Sequence, residues 1–178
     1  MLRVVGVSTK HGKDSLVAKG FSDVLPIEIS LVEIDTDRFG TFAGEIPRTL
    51  SPIETARAKC AAGIEVSGLS QMIASEGSFS PHPAMPLLTL NTELLIFVDN
   101  NEGIEVVQTF SSTEIVAFRE TVFVDSDFGR IEKAADLPSH ALILREESEP
   151  ARVLGKGIRS AQQLRDLVER NEMSGELV

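Results

Sequence analysis

The stretch that decides the fold is LLTLNTELLIFVD (residues 87–99), followed by NNEG (100–103) and IEVVQTF (104–110). Two runs rich in β-branched and aromatic residues flank a short polar turn that ends in glycine, which is the pattern of a β-hairpin. Upstream, Arg3–Ser8 is apolar and β-branched and reads as a buried first strand. A helical pattern follows from Asp14 to about Phe21, and Ile27–Ile34 alternates as a strand. Residues 35–50 are polar and Gly-containing and read as a long loop. Ser51-Pro52-Ile53-Glu54 is a strong helix start: Ser51 as N-cap, Pro52 at the first helical position, Glu54 closing a capping box. That helix is expected to run to about Val66 and stop at Ser67-Gly68.

Met72–Ser75 then reads as a short buried strand, and residues 77–86 (GSFSPHPAMP) as a Pro-rich turn region. Proline neither donates to a ladder nor continues a helix, which is the reason for the second reading. Past the hairpin the pattern weakens. Val116–Val124 suggests a strand, Phe128–Leu137 a short helix and Ala141–Arg145 a strand. Val153–Arg159 is broken by glycines, Ala161–Glu172 is an amphipathic helix, and the tail from Asn171 is expected to fray. Crossover helices around a central hairpin predict the α/β class: a single domain over residues 1–178, with a mixed, elongated central sheet flanked by helices.

Composition bounds the function. Net charge is −10, with 17 Lys+Arg against 27 Asp+Glu, which argues against binding a nucleic-acid backbone. The longest apolar run, Leu94–Val98, is far too short to span a bilayer, and the first ten residues lack a signal-peptide core. A cytoplasmic protein without membrane contact is the expectation. The single cysteine, Cys60, excludes an intrachain disulfide and reads as a small core residue. Acid excess concentrates in residues 101–150, whereas residues 1–20 carry Arg3, Lys10, Lys13 and Lys19 against Asp14 alone.

Five stretches could carry chemistry. In Gly6–Asp14 a strand ends, a loop offers N–H groups, hydroxyls (Ser8, Thr9) and cations (Lys10, Lys13), with His11 between them, and a helix begins. Phosphate binds at such places because free N–H groups and the helix dipole favour an anion. The spacing departs from a P-loop: five residues separate the glycines, and Asp14 stands where a Ser or Thr would be. A solvated loop is the alternative. In the capped helix, Glu54 either completes the capping box and pairs with Arg57 or serves a ligand. Lys59 lies about 140° around the helix from Glu54. Glu76, at the end of the Met72–Ser75 strand among the hydroxyls of Ser75 and Ser78, suits a metal or a general base. His82 is held between Pro81 and Pro83, either as a ligand-facing imidazole or as a rigid turn. Lys156, between Gly155 and Gly157, offers a second phosphate contact or an ordinary helix approach.

Ser8-Thr9…Lys13, ETARAKC (54–60) and IASEGSF (73–79), in this order, resemble the motif set of the inosine triphosphate pyrophosphatase-like superfamily, which includes the Maf-type proteins. The blocks KHGK (10–13), DRFGTF (37–42) and ASEGSF-x-PHP (74–83) resemble a bacterial family of unknown function. The first resemblance implies hydrolysis of non-standard nucleoside triphosphates to monophosphate and pyrophosphate with magnesium. It implies phosphate contacts from Ser8, Lys13 and Lys59, magnesium on Glu54, and Glu76 as metal ligand or base; Thr9, Lys10 and Lys156 extend the phosphate set, with Arg38, Ser78, His11 and His82 as further candidates. The sequence departs from that pattern at Lys10 and Thr55, where members carry Asn, and at Ser75-Glu76, where many carry two acids. Two alternatives stand beside a hydrolase. One is a module that binds a phosphate- or carboxylate-bearing ligand without turnover. The other is an interaction protein pairing as a homodimer through the long hairpin.

Overall fold

The computed structural model describes residues 3–9, 14–22, 24–115, 118–148, 150–171 and 175–177, with backbone alone at 14–16, 22 and 175–177. Lys10, His11 and Lys13, and with them most of the first candidate loop, lie outside the described residues. The fold is mixed α/β, as expected, and the chain divides into two compact units: Met1–Phe39 with Thr49–Thr113, and Gly40–Arg48 with Glu114–Val178.

The first unit is built on a five-stranded sheet. Its strands are β1 (Arg3–Ser8), β2 (Ile27–Val32), β3 (Gln71–His82), β4 (Met85–Asp99) and β5 (Ile104–Ser112), in the order β2-β1-β3-β4-β5. β1 runs parallel to β2 and β3, while β3, β4 and β5 are antiparallel neighbours. Parallel neighbours need crossover connections, which helices supply: α1 (Asp14–Ser22) joins β1 to β2, and α2 (Pro52–Ser67) precedes β3. A short 3-10 turn, Thr36–Phe39, interrupts the expected loop.

α2 starts and stops as its sequence dictates. The Ser51 hydroxyl accepts from the Glu54 N–H at 3.4 Å, and Glu54 Oε2 accepts from the Ser51 N–H at 2.9 Å, so the capping box is complete. Gly68 adopts φ 71°, which only glycine takes without strain, and its N–H donates to the Ile64 carbonyl to close the helix. The apolar side of α2, with Ala56, Cys60 and Ala62, packs on Met72, Ala74, Leu94 and Ile96 of one sheet face. On the other face Val5, Val7 and Ile73 meet Val17 and Phe21 of α1.

The hairpin stands as read, but β3 corrects the sequence reading. It runs twelve residues, through the supposed turn region, and the reversal is confined to residues 82–85. Register shifts between Pro81 and His82, and such a bulge is where a strand tolerates proline.

The second unit has a four-stranded antiparallel sheet. Its strands are β6 (Glu120–Val122), β7 (Leu142–Arg145), β8 (Val153–Ile158) and β9 (Gly175–Leu177), in the order β6-β9-β7-β8. Two corrections fall here. The glycine-broken stretch is a strand, β8, and the tail expected to fray supplies β9. Helices α3 (Phe128–Ala134) and α4 (Ala161–Arg170) are capped by Asp127 and Ser160 and close an apolar core around Phe128, Ile131, Leu144, Leu164 and Val168. Among the described residues, no helix is long and apolar enough to cross a membrane.

Candidate functional site

Register places three of the expected residues together. β1 and β3 pair in parallel at Gly6 with Met72 and Val7 with Ile73. Side chains alternate along a strand, so Ser8, Met72, Ala74 and Glu76 share the face that α2 covers. Lys59 and Gly63 lie one turn apart on α2, and both face that sheet.

Lys59 Nζ donates to the Glu76 carboxylate and, at 3.4 Å, to the Ser75 carbonyl. The pair is largely out of solvent, with side-chain exposures of 14% for Lys59 and 6% for Glu76. Such a pair costs desolvation that its own attraction offsets only partly, so it is weak evidence of a purely stabilising role. Beside it, the Ser8 hydroxyl is buried and has no hydrogen-bond partner among the described residues. It lies so close to α2 that a Cβ on Gly63 would run into it. A buried hydroxyl left without a partner costs free energy that a ligand oxygen would recover. Thr9 and Thr55 are buried as well, and the Thr9 N–H donates to the Val32 carbonyl at 3.4 Å.

The other candidates do not join this cluster. Glu54 Oε2 takes both the N–H and the hydroxyl of Ser51, and the Ser51 hydroxyl bond, followed by the backbone bond, holds its carboxyl below the usual range. Arg57 does not pair with Glu54 through a hydrogen bond; its guanidinium forks onto Glu105 of β5 at 2.7 and 2.9 Å, which lowers the Glu105 carboxyl. Ser78 is two residues beyond Glu76 on β3, about 7 Å along the strand. His82 is six residues beyond, about 20 Å, and its Nδ1 accepts from the N–H groups of Ala84 and Met85. That leaves His82 as a turn-forming residue. The Arg38 guanidinium stacks over Phe39, 4.7 Å from the ring centre. Lys156 belongs to the second unit, where it pairs with Glu45. Burial pushes the Cys60 thiol up to about 12, so it stays protonated and serves packing.

The donor set does not fit a magnesium ion as folded. Glu54 is committed to Ser51 and Glu76 to Lys59, and among the described residues no three His, Cys, Asp or Glu side chains converge.

Residues 59–174 match a protein family described as a domain of unknown function, DUF6671. The chain belongs to that family. The matched span holds Lys59 and Glu76, with Ser8 and Glu54 upstream of it. No curated protein matches the chain. Among solved structures it is similar to a nucleoside-triphosphatase / dITP/XTP pyrophosphatase from Mycobacterium abscessus, at 14% identity. That similarity covers 62% of this chain and 70% of the other, with a TM-score of 0.41.

One member of the cluster in this DUF6671 chain escaped the sequence reading. Gly63 leaves room for Ser8 and for Met72, whose sulfur would meet an added Cβ at 2.9 Å. A glycine inside a capped helix costs about 1 kcal/mol against alanine, and that cost was the available signal.

Proposed function

We propose that the cluster of Ser8, Lys59 and Glu76 binds the phosphates of a small molecule, and that it hydrolyses a nucleoside triphosphate to monophosphate and pyrophosphate. The observation that carries this reading is the buried Lys59–Glu76 pair beside a partnerless hydroxyl at the end of β1. In open α/β sheets, ligands bind outside the carboxyl ends of the parallel strands, which is where Ser8 and Thr9 lie. The order of the Ser8, Lys59 and Glu76 segments in the sequence supports the same assignment.

The chemistry uses the pair as a relay. An arriving phosphate draws the Lys59 ammonium away from Glu76 and accepts from the Ser8 hydroxyl. Glu76, released from Lys59, then serves as the general base. It takes a proton from water as the water oxygen bonds to the α-phosphorus. The bond from that phosphorus to the bridging oxygen breaks, and pyrophosphate leaves with its charge opposed by Lys59. No step is assigned to magnesium, because the carboxylates expected to hold it are engaged elsewhere.

A second reading has its own support. A carboxylate neutralised by lysine is also what a site needs to hold a phosphate without turning it over. The test is release of pyrophosphate and orthophosphate from a panel of nucleoside triphosphates, including inosine and xanthosine forms, with and without magnesium. Release that Glu76→Gln abolishes, with the variant folded, supports the hydrolase. Ligand-induced thermal stabilisation that Lys59→Met removes, without release, establishes the binding module instead. Neither effect from any nucleotide sinks both readings.

A further inference from the structure

The sheet of the first unit has two faces, and only one is covered. α2 spans sixteen residues, about 24 Å, across the face that holds Glu76. On the opposite face α1 spans nine residues. A helix is about 10 Å wide and strands lie about 4.8 Å apart, so one helix shelters about two strands. α1 sits over β1 and β2, and the alternation of β4 and β5 leaves Leu95, Phe97 and Val106 on this face without a helix above them. The result is a cavity of about 930 Å³. Strand side chains including Val5, Ile73 and Phe97 form its floor, and the turn from α1 into β2, with Phe21, Leu25 and Pro26, forms a wall.

Its lining is apolar except at one end. At the end where β1 and β3 begin the polar contributors are Arg3 and Gln71; Gln108, opposite Leu95, is the other polar residue of the lining. The buried Asp99 carboxylate beside them is already supplied with donors. Gln71 Nε2 donates at 2.5 Å, and the N–H groups of Asn101 and Glu102 donate at 3.0 and 3.3 Å. Arg3 feels the charge of Asp99 but makes no hydrogen bond to it. In a chain of net charge −10, Arg3 is a local positive charge at the end of an apolar cavity, and it favours an anionic ligand group there.

We infer that this cavity binds a small amphipathic carboxylate, with its acyl or aromatic body over Phe97 and Val106 and its anionic head on Arg3. Volume, apolar lining and a few convergent polar groups are the usual make-up of a small-molecule site. The site is separate from the proposed phosphate cluster by face and by position: β1 carries Arg3 at its start and Ser8 at its end, about 17 Å away, with Ser8 on the other face. It does not depend on the proposed hydrolase.

The probe is 11-(dansylamino)undecanoate, titrated into the full chain by fluorescence and calorimetry, with its methyl ester as the neutral control. One saturating site per chain is expected. Arg3→Gln should weaken the carboxylate about tenfold, the usual cost of one charge-assisted contact, and leave the ester unchanged. Val106 is 54% exposed, so Val106→Glu should fold and abolish both. No saturable binding by folded protein, or binding indifferent to Val106→Glu, overturns the inference. So does a dimer in sedimentation that Val106→Glu dissociates, because a second copy would then be what covers this face.

Discussion

The two units bury different things. Among the described residues, every buried polar or charged side chain belongs to the first unit: Ser8, Thr9, Thr55, Glu76 and Asp99. The core of the second unit, from Val122 to Val168, is apolar. Burying a polar group is costly unless it is paired, so a fold carries such groups where something uses them. The second unit has the interior of a scaffold. In the first, buried polar side chains run from the end of β1 to the middle of β3, with Ser8, Thr9 and Glu76 among them. Asp99 marks the limit of that inference, because its oxygens serve a side chain and a turn.

The largest effects should come from breaking each interior in its own terms. Lys59→Met removes the ammonium that pairs with the buried Glu76 carboxylate and should destabilise the chain by about 3–5 kcal/mol in urea unfolding. The double variant Lys59→Met with Glu76→Leu should regain most of that loss and remain unable to bind phosphate ligands. A double variant as unstable as the single one would mean the pair stabilises the fold. In the second unit Phe128→Ala should cost about 3–5 kcal/mol with no change in the affinity of the first. If residues 1–178 unfold as one domain, as their number suggests, that variant shifts a single transition; two separated transitions would count against one domain.

Gly63→Ala should cost less, about 1–3 kcal/mol, because the added carbon meets the Ser8 hydroxyl and Met72. Combining it with Ser8→Gly should recover part of the loss, and a thermal melt of the four variants measures the coupling. The smallest effect is in pH. Glu54, Asp99 and Glu105 all have carboxyls held below their ordinary values, chiefly by Ser51, Gln71 and Arg57 respectively. Their stabilisation is complete above the unfolded values of about 4–4.5 and is lost as pH falls through the lower folded values. Glu105→Gln should therefore flatten the acid limb of stability against pH while leaving it unchanged near neutrality in shape. An unaltered acid limb would remove Arg57–Glu105 from the account.

Local chemistry made much of the first unit legible. Ser51, Pro52, Glu54 and Gly68 state the bounds of α2 within the sequence itself, and Asn100–Gly103 states the hairpin turn. What failed was set by distant partners. β3 outruns its apolar segment because β4 pairs with it as far as His82, and a bulge absorbs Pro81. β8 and β9 have little strand character of their own, and β7 recruits both. At the candidate site, Glu76 and Ser8 stood out by residue type and position, whereas Lys59 entered only through the family resemblance. Their meeting was not legible, because it depends on the register of β1 against β3 and on the face that α2 presents. Arg57 illustrates the same limit: its neighbour in sequence is Glu54, but its partner is Glu105.

The parallel pairing of β1 with β3 has a kinetic meaning. The β3–β4–β5 meander joins neighbours in sequence through short turns, so its loop-closure cost is small. Gly6 must find Met72 across the whole of α1, β2 and α2. Contacts of such separation form late and slow a folding reaction. Ser8 joins Lys59 and Glu76 only through that long-range pairing, so recovery of ligand binding after dilution from urea should lag behind recovery of the hairpin.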